Sequence, residues 1–296
     1  MSHFTVLVVG PDAEKQLQPY HEFECTGVFD EYVVPVDVTA EILAAIKEEG
    51  PLEEGLEYHG LEDRVVSDES EVDRNGQHKY AYVVVRDGVL IKAVRFTNPK
   101  AKWDFYQLGG RWTGFFPLKT GAFGDIGKPG LMTEIAEPGH ADCCFKSDID
   151  FEHARSVAGE SARTEWQSVH ALIKDQPLPE SWEVIRERNK GNIDAARAEY
   201  NSQPAVIEFH KSGNLGFFAK VEDYLCTEAQ YVQAARDSAL VPFAVVMNGQ
   251  WYEKGSMGWW GCVSDEKEAS VWNAKVSEIY DSLPGDTLLS VYDCHI

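Results

Sequence analysis

The chain has 296 residues, of which 44% are hydrophobic and 26% charged, enough apolar surface for a sizeable core in one large domain or two ordinary ones. Lys and Arg number 27 against 49 Asp and Glu, a formal charge of −22, which repels phosphate backbones and argues against direct nucleic-acid binding. No apolar run reaches the roughly 20 residues of a membrane span, and the opening MSHFTVLVVG lacks the basic start and long apolar stretch of a signal peptide, so a cytoplasmic protein without a membrane partner is expected.

In chain order, Phe4 to Val9 is a β-branched apolar run stopped by Gly10-Pro11, the pattern of a buried central strand. Thr39 caps a helix through about Lys47, with Ile42, Leu43 and Ile46 on one face and Gly50-Pro51 as the stop. The charged stretch from about 53 to 78 carries few large apolar residues and reads as a mobile acidic surface excursion. Tyr80 to Arg86 and Val89 to Phe96 flank Asp87-Gly88, a dipeptide that tolerates the positive φ angles of a tight hairpin. A second hairpin is expected at Asn248-Gly249, with GWWGCV as its third strand.

Helices are expected at about Ala162 to Ile173, at Glu180 to Tyr200 with a weak point at Gly191, and at Glu228 to Leu240, where Thr227 and Gln230 have capping-box spacing. Ser264 would open a last helix whose stripe of Val271, Trp272, Val276, Ile279 and Tyr280 belongs to the core. Thr287 to Ile296 is strand-like again. Strands at both ends of a chain are commonly tied into a sheet, so the expected fold is one α+β domain over 1–296. Its mixed or antiparallel sheet would contain both terminal strands, with helices packed on it.

Alternation along a strand puts His3 and Thr5 on one side, and Asp293 and His295 on one side of the last strand. If the terminal strands pair with those faces aligned, His3, Asp293 and His295 converge. Such a cluster could hold a metal or run acid–base chemistry, with the carboxylate orienting an imidazole; otherwise these are polar strand ends. The segment KWDFYQLGGRWTGFFPLKTGAFGDIGKPG joins Trp103, Asp104, Tyr106, Arg111 and Trp112 to repeated glycines. It fits a ligand-binding loop, with aromatics to stack on a base and Arg111 to grip a phosphate, and equally an aromatic-packed turn.

The six cysteines show no CxxC spacing and read as reduced structural thiols. His21, Glu22, Glu24 and Cys25 form a surface turn in this reading, and His140, Asp142, Cys143 and Cys144 are set aside as a metal site because neighbouring strand residues point oppositely. Trp251, Trp259 and Trp260 could line a pocket or pack a sheet.

Two resemblances accompany these readings. His3-Phe4-Thr5 and His210-Lys211-Ser212 resemble the paired HxT/S elements of the 2H phosphoesterases, each of which supplies a histidine and a hydroxyl to a phosphate, although here they lie farther apart and without a duplicated lobe. SHFTVLVVG, KWDFYQLGGRWTGFF, GWWGCVSDEK and DTLLSVYDCHI together resemble a family of uncharacterised bacteriophage and bacterial proteins. That resemblance implies an accessory protein working in a host cytoplasm and brings no activity with it. The leading expectation is a small polar site for a nucleotide-like or other phosphorylated ligand. The alternative is a non-enzymatic acidic inhibitor that occupies the groove of a basic host protein in place of DNA.

Overall fold

The computed structural model describes residues 2–22, 30–131, 133–212 and 219–296. Its main sheet has seven strands. The N-terminal strand His3–Val9 lies at the centre, antiparallel to the C-terminal strand Leu288–His295 and parallel to Ala244–Met247. Gln250–Glu253 extends one side, while Phe105–Gly110 and Lys128–Pro129 extend the other, and Cys143–Phe145 also pairs with the C-terminal strand. The fold is therefore α+β with a mixed sheet that contains both terminal strands, as the apolar runs at the two ends imply.

Each face of this sheet is buried by different neighbours. On one, Leu7, Val9, Leu289 and Val291 meet Trp272, Val276, Ile279 and Tyr280 of the helix Ala269–Ser282. On the other, Phe4, Val6, Val8, Tyr292 and Cys294 pack with Leu17, Tyr20 and Trp103. Each large apolar side chain removed from water this way contributes about 1.5–3 kcal/mol. That burial fixes the register, because a slip by one residue would turn every apolar side chain to the wrong face.

Residues 34–97 build a second, four-stranded sheet with its own apolar clusters, one of them under the helix Thr39–Glu49. Its hairpin turns at Asp87-Gly88, both with positive φ, and Asn248-Gly249 does the same in the main sheet. The stretch from 53 to 78 is not an irregular excursion. Val65–Val66 is an edge strand of this sheet, flanked by the helix Leu52–Tyr58 and two short 3-10 turns, and Leu56, Leu61 and Val66 are buried. Three apolar residues spaced among many carboxylates were enough to anchor it.

Other boundaries also move. The long helix starts at Phe151, where the Asp150 carboxylate accepts the His153 N–H. Lys190 and Gly191, both at positive φ, split the next helix into Trp182–Arg188 and Ile193–Asn201. The Thr227–Gln230 capping box is present. Val263–Ser264 pairs with Ser256–Met257 in a separate ribbon, so GWWGCV is not a third strand of the hairpin and the last helix begins at Ala269. Val271 faces solvent there.

Candidate active site at the paired chain ends

The antiparallel register sets His3 directly opposite His295 and Thr5 opposite Asp293. Opposed residues share a face, so these four side chains lie on the same side as Leu7 and Val291 but beyond the helix-covered core. The result is a polar end on an otherwise apolar sheet face. Thr5 is satisfied there, its hydroxyl accepting the Phe243 N–H at 2.9 Å.

The His3 Nδ1 lies 2.7 Å from Asp293 Oδ1, and the His295 Nδ1 lies 2.6 Å from Asp104 Oδ1. The two imidazoles meet edge to face, with ring centroids 4.8 Å apart. A carboxylate can only accept, so each pairing places the proton on Nδ1 and leaves Nε2 as the free basic atom. Neither Nε2 has a protein partner among the described residues. Asp293 is 3% exposed, and its second oxygen accepts the Arg111 N–H at 3.0 Å. Asp104 is the looser partner, exposed at the start of its strand and held by its own N–H on the His295 carbonyl at 2.8 Å.

The 103–112 segment divides between two jobs. Register puts Phe105 opposite His295 and Gln107 opposite Asp293, whereas Tyr106 faces Cys294 on the far side of the sheet. Trp103 is 2% exposed and donates its Nε1–H to the Leu17 carbonyl, with Tyr106 against it at 4.8 Å. Trp103 and Tyr106 are therefore core aromatics of the opposite face, not stacking surfaces beside the histidines. The reason is the two-residue period of a strand. Arg111 remains at the site: its peptide N–H is on Asp293, and its side chain is exposed without an ion pair among the described residues. Trp112, half-buried, follows it in the turn closed by its N–H on the Gly109 carbonyl.

No family model, curated protein or solved structure matches the chain. The site is thus read from its own geometry. The sequence marks Asp104 as part of this segment without pairing it to His295, and gives Phe105 no role, because their place depends on the register of Phe105–Gly110 against the C-terminal strand, which no local pattern encodes. The HxS element fails on position: His210 ends the helix Pro204–His210, whose neighbours are helical core residues such as Val169 and Tyr224.

Among the described residues, no group of three or more His, Cys, Asp or Glu is arranged to hold a metal ion. Nor are the nearby thiols poised as nucleophiles. Burial pushes Cys294 well up and Cys144 up to about 12, so both are protonated at neutral pH. Trp251 packs on Phe4 and Tyr20, and a cavity of about 810 Å³ along Phe151–Ile173 is lined by none of the site residues. Glu24, Cys25 and the side chain of Trp259 lie outside the described residues. No helix among the described residues is long and apolar enough to cross a membrane.

Proposed function

We propose that the end of the sheet carrying His3 and His295 binds, and moves protons on, a nucleotide-like or otherwise phosphorylated ligand, in an accessory protein of the kind that phages carry into a host. The observation behind this reading is the pair of imidazoles on one face, each with Nδ1 on its own carboxylate and Nε2 unpartnered. Two such groups side by side suit phosphoryl transfer. One Nε2 takes the proton of the attacking water or hydroxyl as its oxygen bonds to phosphorus, and the protonated partner gives a proton to the leaving oxygen. The histidines exchange protonation states, and solvent resets them.

Arg111 supplies a fixed positive charge for the phosphoryl oxygens, because its guanidinium is not claimed by a carboxylate of the described residues. Phe105, 52% exposed and opposite His295, takes the base-stacking task expected of Trp103 and Tyr106. Trp112 is the remaining aromatic of the turn.

The test is an NMR titration of ring-labelled histidines with inorganic phosphate and with a nucleoside monophosphate. Both ligands should shift the His3 and His295 Nε2 resonances, the nucleotide should also shift Phe105, and Arg111→Ala should weaken both titrations. If neither ligand moves either imidazole, the reading is wrong.

A further inference from the structure

Asp142 has no part in that chemistry, yet it is fully buried at 0% exposure. Its Oδ1 accepts the Gly114 N–H at 2.6 Å and the Phe115 N–H at 3.1 Å. Its Oδ2 accepts the Gly127 N–H at 2.8 Å and the Thr113 hydroxyl at 3.0 Å. All four donors are neutral. Withdrawing a carboxylate from water is strongly unfavourable unless its oxygens are saturated, and here one turn saturates most of them.

The same residue is tied to the strand that carries Asp293. The Asp142 carbonyl accepts the Val291 N–H at 2.8 Å, two residues before Asp293. Gly109 and Gly110 have φ of 72° and 55°; a Cβ on the first would overlap the Asp142 carboxylate, and one on the second would overlap Asp293. Consecutive glycines thus let one turn lie against both carboxylates. From that turn the Arg111 N–H reaches Asp293 Oδ2, and Asp293 Oδ1 holds His3.

We propose that Asp142 is a positioning residue of the site: by saturating the turn 113–115 it fixes the Arg111 amide on Asp293, and through Asp293 it sets the orientation and Nδ1–H tautomer of His3 without touching the imidazole. His295 rests on Asp104 instead, and its Nδ1 is not a member of this chain of hydrogen bonds. The inference rests on the proposed function only for the task His3 performs, and its test needs no ligand.

Asp142→Asn keeps the side-chain shape but turns an amide donor toward peptide or hydroxyl donors. The expected result, with circular dichroism unchanged, is loss of the His3 Nδ1–H proton signal and retention of the His295 one. Thr113→Val removes a single donor and should produce faster exchange of the same His3 proton. An unchanged His3 signal in either folded variant, or loss of both histidine signals together, would overturn the proposal; if Asp142→Asn does not fold, Thr113→Val decides alone. Phosphate titration of the unaltered protein is read separately. Intact histidine signals that phosphate leaves unmoved reject the phosphoryl reading and leave the role of Asp142 standing.

Discussion

Replacing Asp293 by Asn tests the centre of the site. The carboxylate is buried and accepts from two donors, the His3 Nδ1–H at 2.7 Å and the Arg111 N–H at 3.0 Å. An amide retains one acceptor oxygen and points its NH₂ at the other donor. One hydrogen bond is lost and a buried donor is left unsatisfied, which together cost about 1–3 kcal/mol. Urea titration should therefore show Asp293→Asn less stable by that amount with an unchanged slope. In a double-mutant cycle with His3→Ala the two changes should couple by about 0.5–3 kcal/mol, because they remove the same contact. Additive effects, or an Asn variant within about 0.5 kcal/mol of the parent, would mean that the dyad does not hold the strand ends together.

Gly110→Ala should destabilise by more than the roughly 1–2 kcal/mol of a left-handed backbone, because the new Cβ also overlaps Asp293; a neutral thermal shift would refute the close approach. Arg111→Ala, by contrast, should change stability by no more than about 0.5 kcal/mol, since the side chain is exposed and only its peptide N–H is bonded. Burial raises the Cys144 thiol to about 12 and the Cys294 thiol well up, so the folded state holds those protons more tightly than the unfolded chain does. Stability from these thiols is complete below the unfolded value of ~8.5 and falls as pH rises toward 12, by up to ~1.4 kcal/mol per pH unit for each. Urea midpoints that stay flat from pH 9 to 11 would contradict this. Among the described cysteines, thiol labelling in native buffer should modify exposed Cys262 before the others and spare Cys144 and Cys294 until the chain unfolds, with peptide mapping as the readout.

The terminal strands were readable from local period, and the convergence of His3, Asp293 and His295 follows from it once the two strands pair with those faces aligned. A run of alternating residues at each chain end fixes which side chains share a face, and pairing the ends does the rest. The pairing of Asp104 with His295 and the place of Phe105 were not readable, since their neighbours lie nearly two hundred residues away and no residue of the FYQLGG strand announces its register. The error over Trp103 and Tyr106 has the same origin. Density of aromatics and glycines marks a segment as special, but only register says that position 105 faces the histidines and position 106 faces away. The divergence of Cys143 and Cys144 along their strand argues against a metal at Asp142 and says nothing about peptide donors.

The two buried carboxylates take no lysine or arginine side chain: Asp142 accepts three peptide N–H groups and the Thr113 hydroxyl, and Asp293 accepts one peptide N–H besides His3. In a chain of net charge −22 that choice has a consequence. Cations are scarce, and a lysine or arginine spent on a buried carboxylate would be withdrawn from any ligand. Glycine-rich turns provide donors that carry no net charge and occupy almost no volume, so Gly109, Gly110, Gly114 and Gly127 can close around two carboxylates while Arg111 keeps its guanidinium in solvent. The glycines of this segment thus let two buried carboxylates be satisfied without a lysine or arginine, and the Arg111 side chain stays exposed.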